Sequence, residues 1–396
     1  MSFQWAYLSR TPGIGGEIKF SPESFLVEEI TPAGEVLEIN RKTEQEGEVG
    51  DYTHFVLQKR DWSTAGAIRA ISKKLRIGQG RFDYAGTKDK TGITTQLVSA
   101  FRVDAPILLS LSIKDIRING AWPAKEKVRM GSLLGNRFTI EWRGEGNPEE
   151  GVEKTHAELK GKFPNYFGPQ RFGTTRKNTH IVGELMAKRR FQEAATAFLC
   201  DSAGEEHEQA SAARTELRKT MDFSRALKEF PKHLRLERAM LHHLSQHPND
   251  FINAFRRLPR PILLLFVHAF QSYLFNELLS ERIEEGPLVP EEGEGMCGTS
   301  PLGFPDPASP GDDWIVGRII GYETPPNERE KRILEKHEVS PADFKLPQLP
   351  EISSKGTLRM LLAPYPHFSF SENTFRFSLP SGCYATSLLR EFMKIT

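Results

Sequence analysis

Asp89 stands between Lys88 and Lys90 in the stretch Tyr84 to Gln96, YAGTKDKTGITTQ. Two neighbouring ammonium groups favour the ionised acid and give a short loop a rim that attracts phosphate. Gly86 and Gly92 bracket the loop, and glycine supplies turns and close backbone approaches that other residues resist. The following run, ITTQLVSAF, has the threonines and branched residues of a strand, so Asp89 is expected on a loop at the edge of a sheet. An ionised carboxylate held there suits nucleophilic catalysis. A plain solvated turn fits the same pattern.

Two phosphate-handling motifs come close and fail. A Walker loop needs a Gly-Lys-Ser/Thr end, but the residue five after Gly86 is Thr91. Asp89 to Thr95, DKTGITT, approaches the phosphorylated-aspartate signature of P-type ion pumps. Those pumps need membrane spans, and the apolar runs here are expected to fall far short of the ~20 residues a span requires.

A second stretch, Asn165 to Gly173, NYFGPQRFG, interleaves three aromatic rings with Gln170 and Arg171. Rings beside basic groups can stack an unpaired base, although a hydrophobic loop anchored on the core has the same look. A third, Phe377 to Glu391, FSLPSGCYATSLLRE, leads from a strand through Cys383 and Tyr384 into a helix. A helix N-terminus at that point could hold a phosphate, and Tyr384 could equally be a packing residue.

The elements that must position these stretches can be read in outline. Glu17 to Ile30 reads as two strand-like pieces around a Ser-Pro turn, with Lys19 on the first and Phe25, Val27 and Ile30 on the second. Tyr52 to Lys59 alternates like a strand. Asp61-Trp62-Ser63 then offers caps for a helix with Ile68, Ile71 and Leu75 on one side and Arg69, Lys73, Lys74 and Arg76 on the others. Arg137 to Trp142 is expected as a strand after a Gly135-Asn136 turn, and Gly144 to Gly151 as a loop. From Gly183 to about Gly356 helical patterns dominate, broken by an acidic Gly/Pro-rich stretch, Gly286 to Asp313. Ile262 to Ile283 is apolar enough to be a buried helix, with His268 as a core histidine. Glu328 to His337 is expected as a further helix, Thr374 to Pro380 as a strand pairing with the N-terminal sheet, and Ala385 to Lys394 as a closing helix.

Composition bounds the rest. At 396 residues, 27% charged and 38% hydrophobic, the chain reads as a globular protein of two domains. The net charge is only +1, but its distribution is uneven. His54 to Lys90 holds nine Lys/Arg against three acids, and Lys160 to Arg190 holds eight against Glu184 alone, while Asp201 to Glu208 and Glu284 to Glu294 are acidic. Such segregation predicts one face that meets phosphates. Cys200, Cys297 and Cys383 are scattered and odd in number, which fits a reducing cytoplasm better than a disulfide framework or a zinc site. The N-terminus has no signal-peptide pattern.

Taken together, AGTKDKTGITTQ, NYFGPQRFG and FSLPSGCYATSLLRE, with FLVEE near the N-terminus, resemble the TruD family of tRNA pseudouridine synthases across almost the whole chain. The resemblance implies an α+β fold: a pseudouridine-synthase catalytic domain with a mainly antiparallel mixed sheet (1–180 and 355–396) and an inserted helix-rich domain (181–354), facing each other across an RNA-binding cleft. It puts the catalytic aspartate on Asp89, and Lys19 as the basic residue that keeps it ionised and oriented. It makes Asn165 and Phe167 site residues, and Tyr384 stands where bacterial members carry phenylalanine, adding a hydroxyl. Lys88, Gln96 and Arg171 join these as expected substrate-binding residues. The implied reaction turns a uridine, at position 13 of the tRNA D-arm, into pseudouridine. It needs no cofactor and no metal, but the base must be flipped out of its stack, with Phe167 and Tyr384 to sandwich or flank it. A monomer acting on tRNA, without a membrane, is the expected state.

Two other classes share some of these features. A non-catalytic RNA-binding protein of the same fold would keep the basic face. An aspartyl-phosphate hydrolase would use Asp89 with magnesium, with Asp312 and Asp313 as distant acids, but would place its nucleophile directly after a hydrophobic strand, and RFDYAGTK is a poor one.

Overall fold

The computed structural model describes residues 3–394. The first part of the chain runs β1 (Phe25–Ile30), β2 (Tyr52–Arg60), α1 (Thr64–Leu75), β3 (Phe82–Tyr84), β4 (Ile93–Phe101), α2 (Ala105–Leu109), β5 (Ile116–Ala124), β6 (Gly135–Glu141), α3 (Glu149–Leu159) and β7 (Lys162–Pro164). The middle is largely helical: α4 (Thr179–Ala187), α5 (Phe191–Cys200), α6 (Glu208–Thr220), α7 (Phe223–Glu229), α8 (Arg235–Gln246), α9 (Phe251–Phe255) and α10 (Arg260–Glu285). Then come β8 (Gly295–Thr299), β9 (Pro305–Asp306), β10 (Trp314–Ile319), α11 (Glu328–Lys336) and β11 (Thr357–Met360). The chain closes with β12 (Leu362–Pro364), β13 (Ser369–Ser371), β14 (Thr374–Pro380) and α12 (Ala385–Met393).

The main sheet has the order β13-β14-β6-β1-β4-β2-β5, with β3 added to β4. Only β1 and β4 pair in parallel, so the sheet is mixed but mainly antiparallel. The C-terminal strand β14 joins this sheet through β6, as its alternating sequence leads one to expect. Cross-strand partners share a face, and one face is apolar at both ends. Phe55, Leu57 and Val98 pack under α1 at one end, and Phe138, Ile140, Phe375 and Phe377 pack with α12 at the other. Between them lies a polar strip of Glu29, Lys59 and Gln96, all buried.

Helix α1 starts where its caps predict, with Ser63 Oγ accepting from Gly66 N–H. Gly135 and Asn136 do not form a turn: they are the first residues of β6 and pair with Pro380 and Leu379. The Gly144 to Gly151 loop is cut short by α3, which begins at Glu149. The acidic stretch after Gly286 is not structureless, since β8 and β9 within it join β10 and β11 in a second sheet, β11-β10-β8-β9. β11 ends that sheet at Met360, and β12, starting at Leu362, pairs with β7.

Helix α10 spans 26 residues, longer than its apolar run implies, and is long and apolar enough by length and composition to cross a membrane. That corrects the expectation that every apolar run is short. In the fold, 67% of the apolar stretch is buried, and Leu263, Phe266, Val267, Phe270 and Leu274 belong to the core of the helical region.

Candidate active site

The parallel pairing of β1 with β4 sets the site. Leu26 aligns with Ile93, so the segments that enter the two strands, carrying Lys19 and Asp89, start side by side. Lys19 Nζ stands 3.3 Å from Asp89 Oδ1 and 3.9 Å from the centre of the Phe25 ring. Lys19 is not on a strand: it has φ 62, a left-handed turn conformation, which swings its side chain over the start of β1.

The Asp89 loop lies across the polar strip of the sheet, not at its rim. Lys88 Nζ reaches Glu29 Oε2 at 2.7 Å and Asn136 Oδ1 at 2.6 Å, two residues that face each other on β1 and β6. Gln96 Nε2 donates to Gly86 O at 3.0 Å, and Thr64 Oγ1 donates to Gln96 Oε1 at 2.8 Å and accepts from Lys88 N–H. Lys88 and Gln96 are thus both buried, the first held by Glu29 and Asn136 and the second by Gly86 and Thr64. Lys90 alone of the flanking pair is exposed. Of the bracketing glycines only Gly92 is demanded by geometry. Its φ is 126, and a Cβ there would lie 2.4 Å from Phe25 O, whereas one at Gly86 would meet nothing within 4 Å.

The second stretch reaches the first through Gln170, whose Nε2 is 3.5 Å from Asp89 Oδ1. It reaches the third through Gly168, where a Cβ would lie 3.0 Å from Tyr384 Cδ1. All three stretches thus converge. Asn165 is buried, its Oδ1 accepting from Arg359 Nη2 at 2.7 Å and its Nδ2 donating to Met360 O. Phe167 and Tyr384 have ring centroids 6.2 Å apart at 59°, a direct contact that leaves no gap for a base between them. Phe167 is 8% exposed, with the Arg359 guanidinium 3.9 Å from its ring centroid and Phe275 against it edge-on. The aromatic pair is a wall, with Tyr384 as its half-exposed part. Tyr384 is also the N-cap of α12, with no side-chain hydrogen bond capping that helix.

A family model, TruD: tRNA pseudouridine synthase D, matches residues 4–302 and 308–392. The chain belongs to the TruD family. It is 36% identical to a probable tRNA pseudouridine synthase D of Methanosarcina acetivorans over 98% of this chain and 95% of that one. A Pyrococcus abyssi protein of the same name is 38% identical over 98% of both chains. A crystal structure of a Methanosarcina mazei protein assigned to TruD superposes with a TM-score of 0.76 at 34% identity, covering 99% of this chain and 96% of that one. The α+β fold with its mainly antiparallel mixed sheet is the TruD fold.

In this TruD-family chain three side chains that the sequence does not announce complete the site. Lys59 is 1% exposed and donates from Nζ to the backbone carbonyl of Asp89 at 2.7 Å. Burial pushes its pKa down to about 8, against the pull of Asp89. Its place at the end of an alternating strand is the signal that could have found it. Arg359 locks Asn165 and Gly382 together, Nε donating to Asn165 O at 3.0 Å and Nη1 to Gly382 O at 3.1 Å. Asn276, buried in α10, holds the backbone of Phe167. Cys383 beside Tyr384 has its thiol pushed up to about 11 by burial, which suits packing and not nucleophilic work.

The basic surface is smaller than the charge count suggests. Arg176, Lys188, Arg189 and Arg190 of the second basic segment pair with Glu237, Glu184, Asp343 and Glu193. Lys160 and Lys177 remain exposed, as do Arg69, Lys73, Lys74 and Arg76 on α1. His268 is half-buried and not in the core, and burial together with the Arg171 charge lowers its pKa. Behind the aromatic wall lies a cavity of about 230 Å³ lined by Phe3, Trp5, Ile18, Phe167 and Pro169 among others.

Proposed function

We propose that this TruD-family chain isomerises a uridine of folded tRNA, position 13 in the D-arm, to pseudouridine, with Asp89 as the acting carboxylate. The coarser statement, an isomerase that makes pseudouridine in tRNA, rests on family membership along the whole chain. The observation that carries the assignment of Asp89 is its ion pair with Lys19 at the meeting point of the three stretches. The reaction breaks the N1–C1′ bond, turns the uracil, joins C5 to C1′ and moves one proton from C5 to N1. Atoms and electrons balance with no external donor. Asp89 serves either as nucleophile or as stabiliser of the sugar intermediate.

Because a stacked uridine hides its C1′, the base must leave the helix, and the half-exposed face of Tyr384 is the surface that receives it. Phosphates are held by Lys90, Lys160, Lys177 and the exposed cations of α1, so binding weakens with salt. The same reading has the chain act as a monomer in the cytoplasm, away from membranes, with its three cysteines as free thiols.

Asp89→Ala is the test. Unmodified tRNA transcripts are incubated with each protein, and pseudouridine is mapped by reverse transcription after carbodiimide treatment. The wild type is expected to modify position 13, and the variant to lose all product while holding tRNA with unchanged affinity. Product formed by the variant at the wild-type rate removes Asp89 from the chemistry. A wild type that binds tRNA but forms no pseudouridine anywhere favours the binding-protein alternative.

A further inference from the structure

Two arginines flank one aromatic ring of the site, and neither has an acid. The guanidinium carbon of Arg359 lies 3.9 Å from the Phe167 ring centroid and that of Arg171 lies 5.6 Å away. Both side chains are half-buried. Burial lowers the pKa of each, and the charge of Arg171 lowers that of Arg359 further. Arg171 donates through Nε to Ser272 Oγ, which leaves both ends of its fork free. Arg359 gives its hydrogen bonds to three neutral oxygens, Asn165 O, Asn165 Oδ1 and Gly382 O. Among the described residues no carboxylate stands within ion-pair distance of either.

Three deeply buried arginines elsewhere in this molecule meet carboxylates, while the half-buried Arg81 and Arg238 give their hydrogen bonds to backbone carbonyls. Arg214 meets Glu237 and Glu205, Arg282 meets Glu294, and Arg318 meets Glu330. Two adjacent cations drawn partly out of water without a counter-charge destabilise the fold until an anion joins them. Forked guanidinium groups set around one ring suit an anion with several oxygens, and phosphate is the group they fit best. The seat is next to the chemistry, since Gln170, the neighbour of Arg171, reaches Asp89.

We propose that Arg171 and Arg359 together seat a phosphodiester of the RNA backbone adjoining the uridine presented to Asp89. This rests on Asp89 being the group that meets the target nucleoside. The two arginines then fix the sugar-phosphate on one side of the base while the Lys19–Asp89 pair works on the other. Arg359 holds its own loop as well, so Arg171 is the residue to vary.

The experiment pairs protein and RNA changes. Wild type, Arg171→Gln and Arg171→Lys are each given tRNA whose linkage 5′ or 3′ of the target uridine is either natural or a neutral methylphosphonate. Thermal melting checks that each variant is folded. Wild type is expected to lose on the order of ten- to a hundred-fold in single-turnover rate or affinity at one of the two linkages. Arg171→Gln should show that loss on natural RNA and no further loss on the neutral linkage, and Arg171→Lys should recover part of it. Additive losses in Arg171→Gln, or no loss for wild type at either linkage, overturn the proposal. Inhibition of wild type by inorganic phosphate with indifference to both methylphosphonates would assign the seat to a free anion and also overturn it. Should no pseudouridine form from natural RNA, the reading of Asp89 fails, and filter binding of the same RNAs still decides the seat.

Discussion

Phe167 donates its backbone N–H to Asn276 Oδ1 at 2.8 Å, and Asn276 Nδ2 returns a hydrogen bond to Phe167 O at 3.0 Å. One buried amide on α10 closes both backbone polar groups of the residue that forms the aromatic wall. Asn276→Leu keeps the volume and leaves both groups buried and unmet, at ~1–3 kcal/mol each. The variant should melt earlier by that amount and form pseudouridine at least ten-fold more slowly. An unchanged melting curve would show that the clamp is unnecessary.

Gly92 and Gly86 make a matched pair. Gly92→Ala puts a methyl 2.4 Å from Phe25 O at φ 126, so the Asp89 loop must shift. The expected cost is ~2–4 kcal/mol, with loss of most activity. Gly86→Ala meets no atom within 4 Å and should be close to neutral in denaturant unfolding. Equal effects at the two positions would remove the geometric argument.

Lys59 predicts a rise of stability at high pH. Its folded pKa, about 8, lies below the ordinary 10.5, so between those values the unfolded chain binds more protons. Stability therefore increases as pH climbs through that window, by up to ~3 kcal/mol. The difference in unfolding free energy between wild type and Lys59→Met should change in that sense from pH 8 to 10.5. A pH-independent difference would mean that Lys59 keeps its charge in the fold.

His337 predicts the opposite trend at lower pH. It sits 2.8 Å from Glu277 and 3.4 Å from Glu184. Burial alone would lower its pKa, but hydrogen bonds to Glu184 and Glu277 carry it up to about 9 from 6.5. Its stabilising contribution is complete below 6.5 and disappears as pH rises through 9, on the order of 3 kcal/mol in all. His337→Gln should flatten the melting temperature across that range, and a variant that keeps the wild-type slope would exclude this cluster.

What the sequence made legible was local. The Ser63 cap and the alternating strand at Thr374 each depend on residues close in the chain, and each is found as expected. Lys88 stands between loop residues in the sequence, and nothing there reveals the Glu29 carboxylate beneath it. The partners of Gln96 and Asn165 are hidden in the same way, since an amide reads the same whether it meets backbone or substrate. Lys59 ends an alternating strand, and alternation names a face without saying whether water or another loop covers it. Asn276 was hidden in an apolar helix and Arg359 in a short strand, and each contacts a residue more than a hundred positions away. Four cations between Arg176 and Arg190 look free in the sequence only because their acids come from elsewhere in the chain or from the next helix turn.

Leu361 donates its N–H to Ile315 O in the second sheet, and its own carbonyl accepts from Asn165 N–H at the start of the aromatic loop. With both polar groups of one residue committed, one to each lobe, the crossing has no slack to lengthen or swivel. A single residue thus couples the second sheet to the aromatic loop of the candidate site, so breaking either bond disturbs both.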